Sequence, residues 1–397
     1  MTAKIHVCHV ATLTRWGGVE RMLLDFLEHP GSDRLSHSVI CTSSVSEVTD
    51  SIRRLGMPVF QPKRYFHYDP RAIWQMARWM RAQQVQIVHS YNAVGNAWGN
   101  MASFLARVPV HIGGEHGTVW SVRSPMSWLN RWAYHRANII TVNSHACKTM
   151  VCNKYQVSPE KIHIVYNTSP PLPSVDTAKI RSELSFDSEI IIGSVGRLAP
   201  QKDFKTFVDA ARQVLKARSD VKFVLVGGGD QEQALTDYVR ISGIDDHFVL
   251  TGWRKDAREL LQAFDIFIST SIYEPFGNVL VEAAMASKPV IAPCVDGIPE
   301  AVVDGYTGKL LIPSEPVKGL GSRIQSVLPR QVLINGQPSA PLALNAHKLA
   351  NAILDLIDSP DLCKQYGKAG RARALDMFSI ERYKRQLEEL YIEAVGG

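Results

Sequence analysis

Residues 266–292 of the chain read IFISTSIYEPFGNVLVEAAMASKPVIA, and this stretch predicts a strand, a loop, a helix and a second strand in succession. Residues 266–270 are mostly β-branched or aromatic, which is typical of a buried strand, and a helix is expected to begin near Asn278. A second apolar run follows at residues 290–292. Because two strands joined through one helix form a βαβ unit, the stretch predicts a parallel sheet.

The same alternation of apolar strands and helical periodicity extends along the whole chain. The first half has helical stretches at 19–28, 70–84 and 93–106, between predicted strands at 5–10, 38–42, 85–89, 110–113 and 139–142. The second half has predicted strands at 190–195, 222–226, 248–251, 266–270 and 290–292. The alternation predicts an α/β protein with two doubly wound domains, a fold that binds ligands outside the carboxyl ends of its strands. Two such domains facing each other would form one cleft.

A proline-rich stretch, TSPPLPSV at residues 168–175, separates the two halves, because prolines cannot continue a helix or a central strand. Residues 315–344 fit the alternation poorly, and we interpret them as a partly irregular insertion without an assigned function. The last residues predict a charged amphipathic helix that could pack on either domain. We therefore expect an N-terminal domain, a linker, a C-terminal domain and a C-terminal helix, at residues 1–170, 171–189, 190–378 and 379–397.

The net charge of +6 is unevenly distributed along the chain. Residues 1–170 contain 18 Lys and Arg against 9 Asp and Glu, a net charge of +9, and seven of the eight tryptophans. The remaining residues contain 26 against 29, a net charge of −3. Such a difference indicates two surfaces with different partners, and a basic surface is typical of binding to an anionic membrane or a nucleic acid. No nucleic-acid recognition motif accompanies the basic half, so we favour a membrane.

Hydropathy and cysteine spacing narrow the class of protein further. The mean hydropathy of −0.07 and the lack of an apolar run of about 18 residues argue against a membrane-spanning helix. The first residues, MTAKIHVCHVATLTRWGG, read as a buried strand rather than as a secretory signal. The six cysteines show no CxxC or metal-finger spacing, so we expect reduced thiols. Together these features predict a cytoplasmic protein.

The loop EPFG, residues 274–277, carries the strongest chemical signal. The N–H groups at the start of the following helix, from Gly277 to Leu280, are typical of an anion site. Glu274 lies in the loop and Glu282 one turn inside the helix, so two carboxylates can flank one ligand. The alternative is that Glu282 is a solvated helix carboxylate and Glu274 only interacts with the helix dipole.

Two further segments carry charges or glycines at strand ends. In SVGRLAPQKDF, residues 194–204, a buried strand runs into Arg197, and Lys202 follows five residues later. An Arg fork and a mobile Lys charge are suited to a diphosphate, although two surface cations at a strand exit would look the same. Gly17 and Gly18, between a strand and a helix, could let the backbone approach a phosphate or sugar closely.

These segments, taken in order, resemble the GT4 family of retaining glycosyltransferases, which have the GT-B fold. The resemblance rests on GGVE (17–20), GEHG (114–117), SVGRLAPQKDF (194–204), VLVGGGDQE (224–232), TGW (251–253) and EPFGNVLVEAAMASKPVIAPCVDGIPEAVVDGYTG (274–308). It implies two Rossmann-like domains that face a central cleft, with a C-terminal helix that can cross back to the N-terminal domain. It also implies transfer of a sugar from a nucleotide sugar.

The resemblance assigns roles to individual residues. Arg197 and Lys202 would hold the donor's pyrophosphate, Glu282 the ribose hydroxyls and Glu274 the hydroxyls of the transferred sugar. His116 would lie beside the anomeric centre, although a histidine at a strand exit could equally be a core or capping residue. The other donor-binding positions that it implies are the glycines that close over the donor, the segment against the base and the start of the helix, namely Gly17, Gly18, Thr251, Gly252, Trp253, Arg254, Phe276, Gly277, Asn278, Val279 and Leu280.

The chemistry of such a transfer requires opposite charges at two places. Departure of a nucleoside diphosphate leaves an oxocarbenium-like sugar. The site must therefore stabilise negative charge on the phosphate and positive charge at the anomeric carbon. We expect Arg197, Lys202 and the helix start to serve this purpose, without a cofactor or a catalytic metal, since no DxD cluster is present. The family is described as attacking on the same face as the leaving group, which needs no enzymic nucleophile. We favour a UDP-sugar over GDP-mannose on family frequency alone.

The basic, aromatic stretches of the first half suggest the nature of the acceptor. Arg and Trp concentrate at residues 63–68, 71–81 and 120–136, a composition typical of an interfacial membrane contact. We therefore expect a peripheral protein on the inner face of the cytoplasmic membrane that uses a glycan or lipid-linked acceptor, in the synthesis of envelope polysaccharide, lipopolysaccharide or another glycoconjugate. The alternative is that the tryptophans are core residues and the arginines a solvated face.

Three other functions compete with a glycosyltransferase. A sugar-nucleotide epimerase could share the scaffold, but the pair of glutamates eight residues apart argues against it. A nucleotide-sugar phosphorylase or hydrolase is a second enzymic alternative. A catalytically silent binding partner is the third, and the presence of Arg197, Lys202, Glu274 and Glu282 disfavours it.

Overall fold

The computed structural model describes residues 4–14, 17–43, 47–65, 69–117, 127–184, 189–320 and 328–396 of the 397-residue chain. Its contacts divide the chain into two units. The first unit comprises Met1–Pro170 and Ser379–Gly397, and the second unit comprises Pro171–Phe378. Among the described residues, every helix is too short or too polar to span a bilayer.

The first unit contains a seven-stranded sheet in which each neighbouring pair is parallel. The central strands are buried, as expected for a parallel sheet that helices cover on both faces, which explains their continuous apolar runs. The sheet has the order β3-β2-β1-β4-β5-β6-β7. Its strands are β1 Ile5–Ala11, β2 Leu35–Cys41, β3 Val59–Phe60, β4 Ile87–Tyr91, β5 Val110–Glu115, β6 Ile139–Val142 and β7 Ile162–Ile164.

Helices connect these strands, and side chains fix where several of them begin. Asp69 accepts a hydrogen bond from the backbone N–H of Arg71, and Pro70 occupies the first turn, so helix α3 begins there. Ser144 caps α6 in the same way through Cys147. The helices are α1 Gly18–Glu28, α2 Glu47–Arg54, α3 Pro70–Ala82, α4 Asn92–Ala106, α5 Ser127–Arg136 and α6 His145–Tyr155, with a 3₁₀ turn at Pro159–Lys161.

The second unit contains a six-stranded parallel sheet in the order β10-β9-β8-β11-β12-β13. Its strands are β8 Ile190–Val195, β9 Val221–Val226, β10 Phe248–Leu250, β11 Ile266–Ile268, β12 Val290–Pro293 and β13 Gly308–Leu311. Its helices are α7 Thr177–Glu183, α8 Phe204–Ala217, α9 Glu232–Ile241, α10 Ala257–Leu261, α11 Asn278–Met285, α12 Ile298–Ala301, α13 Ala346–Ile357 and α14 Pro360–Met377, with a 3₁₀ turn at Pro200–Lys202. The predicted α/β class with two doubly wound sheets is confirmed.

The last helix, α15 Ile380–Gly396, belongs to the first unit, as the resemblance implied. Tyr383, Leu387, Leu390 and Tyr391 are buried in the core of that unit. Because these residues recur at helical spacing, they form one apolar face against the core.

Two segments contain regular structure that the sequence analysis did not predict. Helix α7 lies within residues 171–189, where Asp176 accepts hydrogen bonds from the N–H groups of Ala178 and Lys179. Residues 315–344, interpreted as irregular, include an antiparallel hairpin of β14 Val332–Ile334 and β15 Gln337–Ser339. Its turn is Asn335-Gly336 with positive φ at both residues, a pair that favours tight hairpins.

A chain of buried histidines and tyrosines runs through the first unit. His9 bonds His37 and Tyr91 through its two ring nitrogens, at 3.1 and 3.0 Å, and His89 bonds Tyr391 on α15 at 2.6 Å. Burial lowers the pKa of His37 to about 4 and the pKa values of His9 and His89 well below their usual range. These histidines are therefore neutral near pH 7.

This chain predicts that the first unit loses stability on acidification. Below about pH 6.5 these histidines take up protons in the unfolded chain but stay neutral in the folded chain. Each of them therefore lowers the free energy of unfolding by about 1.4 kcal/mol for every pH unit of acidification. Urea unfolding followed by tryptophan fluorescence should show a lower midpoint at pH 5 than at pH 8. Since seven of eight tryptophans lie within residues 1–170, this signal reports mainly on the first unit.

The variant His37→Gln should show a shallower pH dependence than the wild type. The matched control is His163→Gln, at an exposed position of β7, which should keep the wild-type dependence. Equal midpoints at pH 5 and pH 8 in the wild type would contradict this prediction.

Candidate functional site

The carboxyl ends of four neighbouring strands, β10, β9, β8 and β11, bring together the loops that the sequence analysis singled out. Because these strands are parallel, the loops that follow them begin at the same edge of the sheet. We call these loops, together with the first turn of α11, the strand-end site. It contains residues 196–203, 227–231, 251–256 and 269–280.

Two of these loops touch backbone to backbone. The N–H of Gly196 donates to Val226 O at 3.0 Å, and a Cβ on Gly227 would lie 1.9 Å from Gly196 O. Gly227 also has a φ of +150°, which favours glycine. The glycine run after β9 therefore allows a close approach of the two loops.

Lys202 and Glu274 form an ion pair at the centre of the strand-end site. Their side chains are 19% and 15% exposed, so the pair is largely removed from water. The surrounding backbone is held as well, because Thr270 Oγ1 donates to Lys202 O at 2.7 Å and Ile272 N–H donates to Gln201 O at 2.8 Å. The structure thus brings together two residues that the sequence analysis assigned to one ligand.

Asp296, to which the sequence analysis gave no role, supports the loop of Glu274. Its carboxylate accepts a hydrogen bond from the N–H of Glu274 at 3.0 Å, and the N–H of Gly297 donates to Glu274 O at 3.1 Å. Burial, helped by the nearby Glu274 charge, raises the pKa of Asp296 to about 7. The signal that could have indicated it is an acidic residue shortly after a buried strand, at the edge where ligands bind.

Helix α11 begins after Gly277, whose φ of +94° would strain a residue with a side chain. Among the N–H groups from Gly277 to Leu280, which the sequence predicts to bind an anion, that of Leu280 already donates to Gly277 O at 2.9 Å. Phe276 is buried and packs edge-on against Phe378, with ring centroids 5.3 Å apart. Its side chain therefore anchors the loop in the core, and any contact of Phe276 with the donor would use its backbone.

Glu282 pairs with Arg258 at 2.9 Å, and each side chain is 17% exposed. The alternative that Glu282 is a solvated helix carboxylate is therefore wrong. Arg258 lies on the short helix α10, 24 residues before Glu282, so no local sequence pattern connects the two.

Residues 251–254 follow β10 at the same edge. Gly252 O accepts a hydrogen bond from Gly227 N–H at 3.0 Å, which joins this loop to the one after β9. Trp253 is 59% exposed, so its ring is accessible for stacking. Arg254 bonds both carboxylate oxygens of Asp256, at 2.8 and 2.6 Å, so its side chain is already paired.

His116 lies in the first unit, directly after β5. Its Nδ1 lies 3.0 Å from Asn167 Oδ1, its backbone N–H donates to Asn92 Oδ1 at 3.0 Å, and its ring stacks on Tyr91. Within the described residues its buried Nε2 has no hydrogen-bond partner. Burial lowers the pKa of His116 to about 4. If Nδ1 carries the proton toward Asn167, Nε2 is a neutral acceptor.

Gly17 and Gly18 also lie in the first unit, where both are exposed at the start of α1. All other predicted site residues lie in the second unit. In the part of the chain that the structure describes, no group of three or more His, Cys, Asp or Glu is placed to hold a metal ion.

Comparisons with known proteins cover most of the chain. Residues 16–168 match the family model "Glycosyltransferase Family 4", and residues 189–330 match the model "Glycosyl transferases group 1". The alpha-maltose-1-phosphate synthase of Mycolicibacterium smegmatis is 28% identical over 336 residues, covering 78% of this chain and 79% of that protein. The UDP-Gal:alpha-D-GlcNAc-diphosphoundecaprenol alpha-1,3-galactosyltransferase of Escherichia coli is 24% identical over 326 residues, covering 78% and 84%.

A solved structure shares the fold. Anabaena Alr3699/HepE in complex with UDP-glucose superposes with a TM-score of 0.79 at 22% identity, covering 98% of this chain and 100% of that one. At this level of identity the likeness concerns the fold alone.

Proposed function

Because the chain belongs to the GT4 family of glycosyltransferases and has the GT-B fold, we propose that it transfers a hexose, with retention, from a UDP-sugar to a glycan or lipid-linked acceptor. Its activity as a glycosyltransferase acting on nucleotide sugars follows from the family. The observation that carries the finer proposal is the Lys202–Glu274 pair at the strand-end site.

The donor's diphosphate would bind where positive charge is concentrated. Arg197 is exposed at the end of β8, Lys202 follows it, and the first turn of α11 adds the partial charge of a helix N-terminus. Together they stabilise the negative charge that develops as the diphosphate leaves. In this proposal these residues take the part that a metal ion plays in other sites, and no cofactor is involved.

Binding of the donor would exchange the partners of Lys202. Without a ligand its ammonium pairs with Glu274, and a diphosphate offers it a stronger negative charge. Glu274 would then be free to accept hydrogen bonds from hydroxyls of the transferred sugar. Arg258 meanwhile holds Glu282 in place, and we assign Glu282 to the ribose hydroxyls.

His116 would contribute as a neutral hydrogen-bond acceptor. Its lowered pKa keeps the imidazole uncharged near pH 7, and Nε2 lacks a partner among the described residues. An uncharged ring beside the anomeric centre adds no positive charge next to an oxocarbenium-like carbon. We therefore assign His116 to a sugar hydroxyl and not to general acid catalysis.

Retention in this proposal requires no enzymic nucleophile. The acceptor oxygen bonds to the anomeric carbon on the face that the diphosphate leaves, as the bond from that carbon to the phosphate oxygen breaks. The acceptor's hydroxyl proton passes to the departing phosphate oxygen. Negative charge on that oxygen, held by Arg197 and Lys202, makes it the proton acceptor.

Two comparisons support the choice of donor and acceptor. The E. coli relative uses UDP-Gal and a diphosphoundecaprenol-linked sugar, according to its name. HepE has been solved with UDP, with UDP and glucose, and with UDP-glucose. The first favours a UDP-sugar and a lipid-linked acceptor, and the second indicates only that this fold is compatible with a UDP-sugar.

A surface of exposed aromatic and arginine side chains in the first unit supports a membrane contact. Trp74 and Arg78 lie four residues apart on α3, with the Arg78 guanidinium 5.7 Å from the Trp74 ring. Arg81, on the same helix, donates to Leu105 O on α4. The guanidinium of Arg136, on α5, lies 4.4 Å from the ring of Phe104, the residue before Leu105. We call this surface the aromatic–arginine surface; it comprises Trp74, Arg78, Arg81, Phe104, Leu105, Trp128 and Arg136.

Exposure separates this surface from the core tryptophans. Trp74, Phe104 and Trp128 are 56%, 58% and 64% exposed, whereas Trp79 is half-buried and stacks on Phe60. The alternative that the tryptophans are core residues therefore holds for Trp79 but not for Trp74 or Trp128. Exposed aromatic rings beside arginines are suited to the interface of an anionic bilayer. Residues 66–68 and 120–126, also predicted to contact the membrane, lie outside the described residues.

The first test concerns turnover at the strand-end site. Glu274→Ala and Lys202→Ala should each lower the hydrolysis of a UDP-sugar by about a hundredfold or more, because each removes charge aimed at the reacting group. The measurement is UDP release from a panel of UDP- and GDP-sugars. The control is Lys205→Ala, which removes an ion pair of similar exposure with Asp209 but leaves Glu274 untouched. Wild-type turnover in either site variant would refute the assignment.

The second test concerns stereochemistry. With methanol as a small acceptor and a UDP-α-hexose as donor, we expect the methyl α-glycoside, which cannot mutarotate. Proton NMR of the anomeric signal distinguishes it from the β-glycoside. Formation of the β-glycoside would contradict retention and leave the glycosyltransferase activity intact.

The third test concerns the membrane. The protein should sediment with vesicles of phosphatidylcholine and phosphatidylglycerol but not with phosphatidylcholine alone. Arg78→Glu should weaken this binding by about tenfold, since each cation near an anionic surface contributes about 1 kcal/mol and the variant also adds repulsion. Arg240→Glu, a charge reversal at an exposed arginine of α9, should bind like the wild type. Equal sedimentation with both kinds of vesicle would rule out the proposed contact.

A further inference from the structure

The hairpin β14–β15 lies within residues 315–344, for which the sequence pattern indicates no function, and it is firmly attached to the second unit. Its first strand is buried, with Val332, Leu333 and Ile334 at most 9% exposed. At the base of the insertion, the N–H of Ala343 donates to Glu315 O at 2.8 Å. The hairpin is therefore a fixed part of this unit.

The hairpin lies against the segment that follows β12. The N–H of Asp296 donates to Leu333 O at 2.8 Å, and the N–H of Asn335 donates to Cys294 O at 3.1 Å. Val295 and Ile334 form an antiparallel bridge between these bonds. This pairing fixes the backbone on both sides of Val295.

The carboxylate of Asp296 connects the hairpin to the loop of Glu274. One oxygen accepts the N–H of Leu333 at 2.8 Å, and the other accepts the N–H of Glu274 at 3.0 Å. Asp296 is 7% exposed, so both bonds are shielded from water. On the other side, Gly297 lies so close to the loop that a Cβ there would be 2.0 Å from Pro275 O. Both backbone polar groups of Glu274 are thus held by residues 296 and 297.

We propose that Asp296 is a positioning residue for sugar transfer, which uses the β14–β15 hairpin as a support to fix the backbone of Glu274. The inference rests on the proposed function, in which Glu274 contacts the transferred sugar. Asp296 itself touches neither diphosphate nor sugar. Its loss would leave two buried N–H groups without an acceptor and would let the loop move. A shift of about 1 Å in a positioning group can cost about a hundredfold in rate.

A positioning role for Asp296 predicts an effect on kcat but not on the Kd of UDP. The nucleotide is held by Arg197, Lys202 and the start of α11, none of which Asp296 contacts through a hydrogen bond in the structure. Asp296→Ala should therefore lower kcat for hydrolysis of a UDP-sugar by about tenfold to a hundredfold, while the Kd of UDP stays within about twofold. Calorimetry with UDP gives the Kd and also the fraction of molecules that can bind, to which kcat is normalised.

A conservative variant and a matched control complete the experiment. Asp296→Asn has nearly the same shape but a single carbonyl oxygen, so it can satisfy only one N–H fully and should lower kcat less than Asp296→Ala. If Asp296→Ala fails to fold, kcat and UDP affinity of Asp296→Asn still test the inference. The control is Asp304→Ala, which removes a carboxylate that accepts the N–H of Leu310 at 2.7 Å, away from Glu274. It should keep the wild-type kcat.

Failure of this inference and failure of the proposed function give different results. Wild-type kcat in both Asp296 variants would overturn the inference alone, as would a parallel loss of UDP affinity and kcat, which indicates a general structural role. A wild-type protein that neither binds UDP nor hydrolyses any UDP-sugar would overturn the proposed function, and this inference with it. Lower kcat with unchanged UDP affinity, graded from Asn to Ala, supports it.

Discussion

The parallel direction of the strands in the second unit is the constraint on which the strand-end site depends. It places the ends of β8, β9, β10 and β11 at one edge, although their loops are up to about 70 residues apart in sequence. The loops after β8 and β9 meet there backbone to backbone, which requires that no side chain lies between them. Gly227, whose Cβ would collide with Gly196 O, shows why the β9 loop begins with glycine. The charged side chains of Lys202 and Glu274 extend from backbone that hydrogen bonds fix in place.

Largely buried charges in and beside this site compensate one another in pairs. Lys202 pairs with Glu274, and Arg258 pairs with Glu282, all four side chains being less than a fifth exposed. A charge left alone at such burial would be costly, and pairing reduces this cost before any donor binds. In the proposed function, a donor must compete with Glu274 for Lys202. The pairing also keeps the side chains ordered, so the proposed replacement of the carboxylate by a phosphate needs little further ordering.

The sequence predicted local properties well and tertiary partners poorly. Apolar alternation was sufficient for two doubly wound sheets, because burial of strands on both faces leaves a continuous apolar run. Glu274 and Lys202 could be singled out because each lies in a loop that follows a predicted strand. Arg258 was missed because its partner is 24 residues away on another helix. The hairpin was missed because its strands have only three residues each, too few for a periodic signal.

The position of Asp296 beside Glu274 raises the question of why a second carboxylate lies so near the first. Like charges disfavour each other, and the raised pKa of Asp296 reflects burial together with this repulsion. Two N–H groups, from Glu274 and Leu333, approach the side chain from different segments. Only a carboxylate offers an acceptor to each of them, since an amide would turn its NH₂ toward one. Lys202 meanwhile neutralises Glu274 and so limits the repulsion that the arrangement creates. The carboxylate is thus suited to join the hairpin to the loop, because its two oxygens accept one N–H from each.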